Sequence, residues 1–234
     1  MTTPSPAASP ITFITATRSS REDFFQKSPL YTSLSRIQIP DIGMIVAFDN
    51  TEGLPAVYNR MVDQLNVSED TIFVFCHDDI HVLDFFWPLQ IRAALERFDI
   101  IGLAGNRRRA PGQVSWNYID DAFTWDDREN LSGIVGHGLQ FPCRLTQYGP
   151  VPRDCLTLDG VFLGVRRKTL TEHGLRFDER FAFHLYDMDF CRQAEGKGLS
   201  MGTAPISVVH ESGGNFGSAA WKAGYQAYLE KWGD

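Results

Sequence analysis

The stretch "FVFCHDDIHV", residues 73–82, is apolar as far as Cys76 and then sets His77, Asp78 and Asp79 side by side. A short apolar run ended by polar residues reads as a buried strand. Working outward, "ITFITA" (11–16) and "IGMIVAF" (42–48) repeat the pattern upstream, and "DIIGLAG" (99–105) repeats it downstream. Between these runs Pro55 opens "PAVYNRMVDQL", where Val57, Met61, Val62 and Leu65 share one helical face. Asp84 stands where it could cap a second helix, in which Trp87, Ile91, Leu95 and Phe98 recur at helical spacing. Strands alternating with helices predict an α/β fold with a mostly parallel central sheet flanked by helices. Such sheets bind ligands beyond the carboxyl ends of their strands. The polar loops after Ala16, Phe48 and Cys76 all fall at that edge.

Composition sets the outer limits. With 234 residues, 43% hydrophobic and 22% charged, the chain suits one α/β domain whose core needs no staples. A formal net charge of −7 argues against general nucleic-acid or anionic-membrane binding. The opening "MTTPSPAASP" (1–10) has no basic or apolar region and reads as a flexible leader ahead of a single domain over 11–234. No apolar run is long enough for a membrane span. The four cysteines include no C-x-x-C pair and read as reduced residues of a cytoplasmic protein, with a Cys143–Cys155 bridge left open.

Periodicity is lost between 106 and 155, a length that in a compact domain points to a functional or mobile segment. It returns with a strand over "LTLDGVFLGVRR" (156–167) and a short helix closed by Gly174. A helix follows within 177–198, then a last strand running into the Gly-rich loop of 204–217. Trp221, Tyr225, Tyr228 and Trp232 share a face of the final segment, which reads as a C-terminal docking helix.

Three polar groupings interrupt apolar elements: His77-Asp78-Asp79, Asp187-x-Asp189, and His210 at the end of "ISVVH". Singly, each has a structural explanation as a strand-end turn, a helix cap or a hydrogen-bonded histidine. Together they favour a site. Adjacent carboxylates repel unless a cation lies between them, and carboxylates joined by an imidazole suit Mn²⁺ or Mg²⁺. Asp187, standing apart, could accept a proton from an attacking hydroxyl. Arg107-Arg108-Arg109 reads as a solvated loop or a phosphate grip. Trp116, Tyr118 and Trp125 read as loop anchors or sugar-stacking faces.

"FCHDDIHV", "LDGVFLGVRR", "FDERFAFHLYDMDFCRQAEGKGL" and "ISVVHESGG" resemble, in that order, the GT-A-fold glycosyltransferases. The nearest likeness is to the family-two-like group named after a streptomycin-biosynthesis protein. The resemblance covers about residues 11–215 and implies a GT-A (nucleotide-diphospho-sugar transferase) fold, with 11–105 as the nucleotide-binding half and 106–234 as the acceptor-binding and catalytic half. It implies an enzyme that transfers a sugar from a nucleoside-diphosphate-sugar donor to a glycan or other hydroxyl acceptor, with inversion and a divalent metal. Asp79 and His210 would be metal ligands and Asp187 the catalytic base. Thr15, Ala16, Thr17, Arg18, Asp49, Asn50, Asn59, His77, Asp78, Asp159 and Gly160 would contact the donor. His77 stands where the family has an acid, which fits weak metal dependence, and Tyr186 stands where many relatives have Glu. Two rivals remain at this level: a metal-dependent carbohydrate hydrolase or deacetylase, and a non-catalytic sugar-nucleotide or glycan-binding module. The nucleotide, the sugar and the oligomeric state are not readable.

Overall fold

The structure, a computed structural model, describes residues 8–36 and 39–233. Most of the expected leader, residues 1–7, lies outside the described residues. In chain order the first half runs β1 (Ile11–Ala16), α1 (Arg21–Lys27), α2 (Pro29–Ser35), β2 (Ile42–Ala47), α3 (Leu54–Gln64), β3 (Ile72–Cys76), β4 (Ile80–Val82), α4 (Trp87–Leu95), β5 (Ile100–Gly102) and β6 (Ala104–Asn106). The second half runs β7 (Leu131–His137), β8 (Arg144–Gly149), β9 (Thr157–Leu158), β10 (Phe162–Arg166), α5 (Arg167–Glu172), α6 (Tyr186–Gly196), β11 (Met201–Thr203), β12 (Val208–His210) and α7 (Ala219–Trp232).

Two six-stranded sheets result, in the orders β11-β5-β10-β3-β1-β2 and β4-β12-β7-β6-β9, with β8 paired to β7. In the first sheet β1 is parallel to both β2 and β3, and β11 is parallel to β5. Only β10, between β3 and β5, runs antiparallel. The mostly parallel central sheet expected from the alternation is therefore present. Its core is aromatic: Phe13 meets Trp87 edge-on at 5.2 Å, and Phe73, Phe75 and Phe162 are fully buried. Among the described residues no helix is long and apolar enough to cross a membrane.

The two strands expected over 99–105 and 156–167 are each divided. The first becomes β5 in one sheet and β6 in the other, and the second becomes β9 and β10. β3 and β4 divide in the same way around His77-Asp78-Asp79, as do β11 and β12. The chain thus passes four times directly from a strand of one sheet to a strand of the other, and returns once more through α4. Two of the crossings are the polar triplet and the Asp159-Gly160 turn. A strand that changes sheets must break its ladder, and at these two places polar residues interrupt the apolar run.

Other differences are local. The loop read after Ala16 contains α1 and α2, each opened by a serine whose side chain accepts a backbone N–H: Ser20 from Asp23 (3.2 Å) and Ser28 from Tyr31 (3.3 Å). Asp84 does not cap α4. Phe86 holds that place, and the Asp84 carboxylate braces the first turn by accepting from Phe86 N (2.6 Å) and Gln90 Nε2 (2.7 Å). The unpatterned segment folds into the β7–β8 hairpin. Its approach is pinned by buried Asp126, which accepts from Arg108, Asn106 (2.8 Å) and Asn130 (3.2 Å). All four cysteines are free, so no Cys143–Cys155 bridge forms. In α7, Trp221 and Tyr228 are buried while Tyr225 and Trp232 pack against the core from its margin.

Candidate active site

β3 delivers His77, Asp78 and Asp79 to the seam between the sheets, and β12 ends there with His210. One nitrogen or oxygen from each of His77, Asp79 and His210 lies within 4.8 Å of the others. Asp79 Oδ1 is 3.3 Å from His210 Nε2 and 3.9 Å from His77 Nδ1, and the two nitrogens are 3.4 Å apart. Donors about 2.1 Å from a shared ion are spaced about 3–3.5 Å from one another. The triad therefore has nearly the spacing of a ligand set. Asp79 Oδ1 is also buried without a hydrogen-bond donor in geometry, an orphan that a cation would satisfy. Its other oxygen accepts from Ser212 N (3.2 Å).

The electrostatics show a site that pairs Asp79 with a positive charge, from the His210 imidazolium or from an ion that displaces its proton. Burial alone would raise the Asp79 pKa, but attraction to His210, with Ser212 and His77, holds it well below the usual carboxylate range. Burial would lower His210, and Asp79 overrides this and raises it. His77 is lowered, first by burial and then by His210, so its ring favours the neutral, ligating form. Phe183 stacks on that ring at 5.7 Å. His77, which the sequence presents as a loss of an acid, instead brings a nitrogen to the triad.

Asp78 turns toward the first strand. Its pKa is raised by burial and Asp79 against a hydrogen bond from Thr17. Its backbone carbonyl accepts from Ser28 Oγ (2.9 Å), which ties α2 to the triplet. The loops after β1 and β2 meet here, with Thr17 N donating to Ala47 O (2.9 Å) and Asn50 N to Thr17 O (2.8 Å). Thr15 Oγ1 is buried without a partner, Ala16 is buried, Arg18 is exposed, and Asp49 holds a left-handed φ of 49°. Two of the expected donor contacts are engaged internally. Asn50 closes its own turn with Glu52 (2.9 and 3.3 Å), and Asn59 is buried, clasping both backbone groups of Phe177 (2.8 and 3.1 Å).

Across the cleft, α6 presents Asp187. Its carboxylate accepts from Gly160 N (2.9 Å) and Met188 N (2.9 Å). Tyr186 donates its hydroxyl to Gly160 O (2.8 Å), so two consecutive residues grip one turn. A Cβ on residue 160 would lie 2.5 Å from the Tyr186 hydroxyl, which requires glycine there. Burial, and next the charge of Asp159, raise the Asp187 pKa to about 6. Asp159 also acts on His77 and His210, and its turn meets the triplet directly, Val161 O accepting from His77 N (3.2 Å). Asp189 points elsewhere. Fully buried, it accepts from Trp232 Nε1 (2.9 Å) and Gln193 Nε2 (2.7 Å) and pairs with Lys231 (2.6 Å).

Sequence reasoning passed over Ser212, His137, Arg144 and Tyr148. Each is a single polar or aromatic residue in a segment without periodicity, and no pattern marks it.

An α/β core with a mostly parallel sheet, crossed at its carboxyl edge into a second sheet, is the GT-A fold of nucleotide-sugar transferases. The chain is similar to the crystal structure of GalNAc-T7 with UDP, GalNAc and Mn²⁺, at a TM-score of 0.55 and 10% identity, over 98% of this chain and 49% of that one. It thus spans about half the length of that protein. It is also similar to A197 from STIV, at a TM-score of 0.50 and 12% identity, over 87% of this chain and 86% of that one. No protein-family model and no curated protein matches the sequence.

Proposed function

We propose that the protein is a glycosyltransferase, moving a sugar from a nucleoside-diphosphate donor to an acceptor hydroxyl with inversion in a single displacement. The observation that carries this reading is the turn at Asp159-Gly160-Val161, where Gly160 N donates to the Asp187 carboxylate (2.9 Å) and Val161 O accepts from His77 N (3.2 Å). The proposed base and the proposed metal site would thereby be held at a single turn. Similarity to a structure described with UDP and Mn²⁺ supports the same assignment.

In this reading His77, Asp79 and His210 hold the divalent ion, and two imidazoles beside one carboxylate favour Mn²⁺ over Mg²⁺. When bound, the ion neutralises charge developing on the departing diphosphate. Thr17, Arg18, Asp49 and Asp78 would line the nucleotide at the ends of β1, β2 and β3, with Thr15 behind them in β1. Asp187, held by Gly160 N and Met188 N, takes the acceptor proton as the hydroxyl oxygen attacks. Asp159 faces the donor sugar and keeps the base poised by raising its pKa.

Calorimetry with UDP, GDP and dTDP, with and without Mn²⁺, tests the donor half. One nucleotide should bind in a metal-dependent way, and H210A should remove that dependence. Asp187→Asn should lower transfer at least 10²-fold with nucleotide affinity nearly unchanged. Intact turnover in that variant would sink the assignment of the base. A metal-dependent carbohydrate hydrolase is the second reading, favoured by the same donor set of two imidazoles and one carboxylate. Release of acetate or sugar without any nucleotide requirement would select it.

A further inference from the structure

The β7–β8 hairpin brings a second set of groups to this cleft. His210 on β12 pairs in register with His137 on β7, and His137 pairs with Arg144 on β8. Residues directly opposed on neighbouring strands point to the same face of a sheet. His210, His137 and Arg144 thus form a row, with the Arg144 Cα two strand spacings, ~10 Å, from that of His210. The one irregularity in this pairing falls between Gly133 and Ile134, away from the row. Arg144 acts electrostatically on both His137 and Tyr148, and Asp159 acts on both as well. These influences agree with the row that the strand register sets out. Tyr148 carries Trp125 stacked on its ring at 5.4 Å and 17°, and Trp125 keeps 46% of its surface exposed.

Arg144 is exposed and has no carboxylate partner among the described residues. Two other arginines of the same half of the chain behave differently, since Arg108 is paired with Asp126 and Arg109 with Glu195. The floor of the cleft is acidic, through Asp159 and Asp187, and such a floor repels an anion except where a cation is fixed. A planar guanidinium is suited to grip a carboxylate or a phosphate through two parallel hydrogen bonds.

We propose that this row is the acceptor subsite and that the acceptor is an anionic saccharide: its ring lies on Trp125, its carboxylate or phosphate on Arg144, and His137 hydrogen-bonds it between that anchor and the triad. The word acceptor rests on the glycosyltransferase reading, whereas the anion site is tested by binding alone. The full chain, in the presence of UDP and Mn²⁺, is titrated with glucuronate, glucose 6-phosphate and glucose. At least one anionic sugar should bind about 10- to 100-fold more tightly than glucose, the effect of a charge-assisted bidentate contact. Comparing glucuronate with glucose 6-phosphate tells a carboxylate acceptor from a phosphate one. Arg144→Gln should abolish the preference, Arg144→Lys should keep part of it, and Trp125→Ala should weaken all three sugars by similar factors. Equal affinity for charged and neutral sugars overturns the proposal, and so does a preference that survives in R144Q. Loss of UDP binding in R144Q also overturns it, by assigning the arginine to the donor. If UDP fails to bind the wild type but the Arg144-dependent preference persists, the anion site stands and the transferase reading falls.

Discussion

Asp187, raised to about 6 by burial and by Asp159, is about nine-tenths ionised at pH 7 and mostly protonated at pH 5. Only the ionised form can accept a proton, so the transfer rate should fall tenfold per unit as pH drops below about 6. A rate flat from pH 7 to pH 5 would remove Asp187 from the chemistry. The effect on stability has the opposite sign. A carboxyl whose pKa rises on folding is unfavourable in its ionised form above pH 6, and that penalty is relieved as pH falls toward the ordinary value of 3.8. The triplet, Asp187 and His210 were legible as candidates because acids and imidazoles interrupt otherwise apolar or helical patterns. What each does was not legible. Asp187 and Asp189 are two positions apart in sequence, yet one faces the cleft and the other meets Trp232 and Lys231. Sequence spacing fixes the angle between two side chains on a helix, but only packing decides what lies at the end of each.

Helix α7 docks on α6 through a buried polar cluster rather than through its aromatic face alone. Lys231 bridges Asp178 (2.7 Å) and Asp189 (2.6 Å), while Arg192 of α6 lies 4.8 Å from the Trp232 ring. Removing the lysine leaves a buried carboxylate without its cation, a change that costs about 3 kcal/mol in comparable settings. Lys231→Met should therefore destabilise the protein by about 3 kcal/mol in urea unfolding. K231M paired with Asp189→Leu should regain much of that loss, because the stranded charge is removed too. A loss below ~0.5 kcal/mol in K231M would mean the ion pair is solvated and α7 is held by its aromatic contacts. The docking helix was readable from four aromatics at helical spacing, but its buried latch was not. The same contrast runs through the other elements. β1, β2 and β3 were legible as apolar runs of 5–6 residues, and α3 because its 11 residues make three helical turns. α1 and α2, at 7 residues each, are too short to show a helical period, and serine caps with local packing form them instead.

At the scale of the whole molecule, the parallel sheet was expected and the second sheet was not. Four of that sheet's six strands have three residues or fewer, and three of these four, β4, β6 and β12, continue strands of the first sheet after a crossing. The sequence reading joins β5 to β6 and β9 to β10, because apolar residues resume at once after those breaks, and it passes over β4 and β11, which have only three residues each. The crossings also concentrate the candidate site. His77 and Asp79 leave the first sheet at the end of β3, while His210 belongs to the second sheet on β12. An ion held by these three residues would clamp the two sheets at their seam, and unfolding would have to release it. Binding confined to the folded state at a hundredfold excess over Kd adds about 2.7 kcal/mol. For a chain of this length that corresponds to a rise in Tm of about 5–10 °C. Calorimetric scans with and without Mn²⁺ should show this rise in the wild type. His210→Ala should lose it, having given up the ligand from the second sheet, and His77→Ala should lose it by giving up one from the first. An undiminished rise in either variant would mean the ion sits elsewhere. An equal rise with Ca²⁺, which takes oxygen donors and disfavours imidazole, would point to a carboxylate surface rather than this triad.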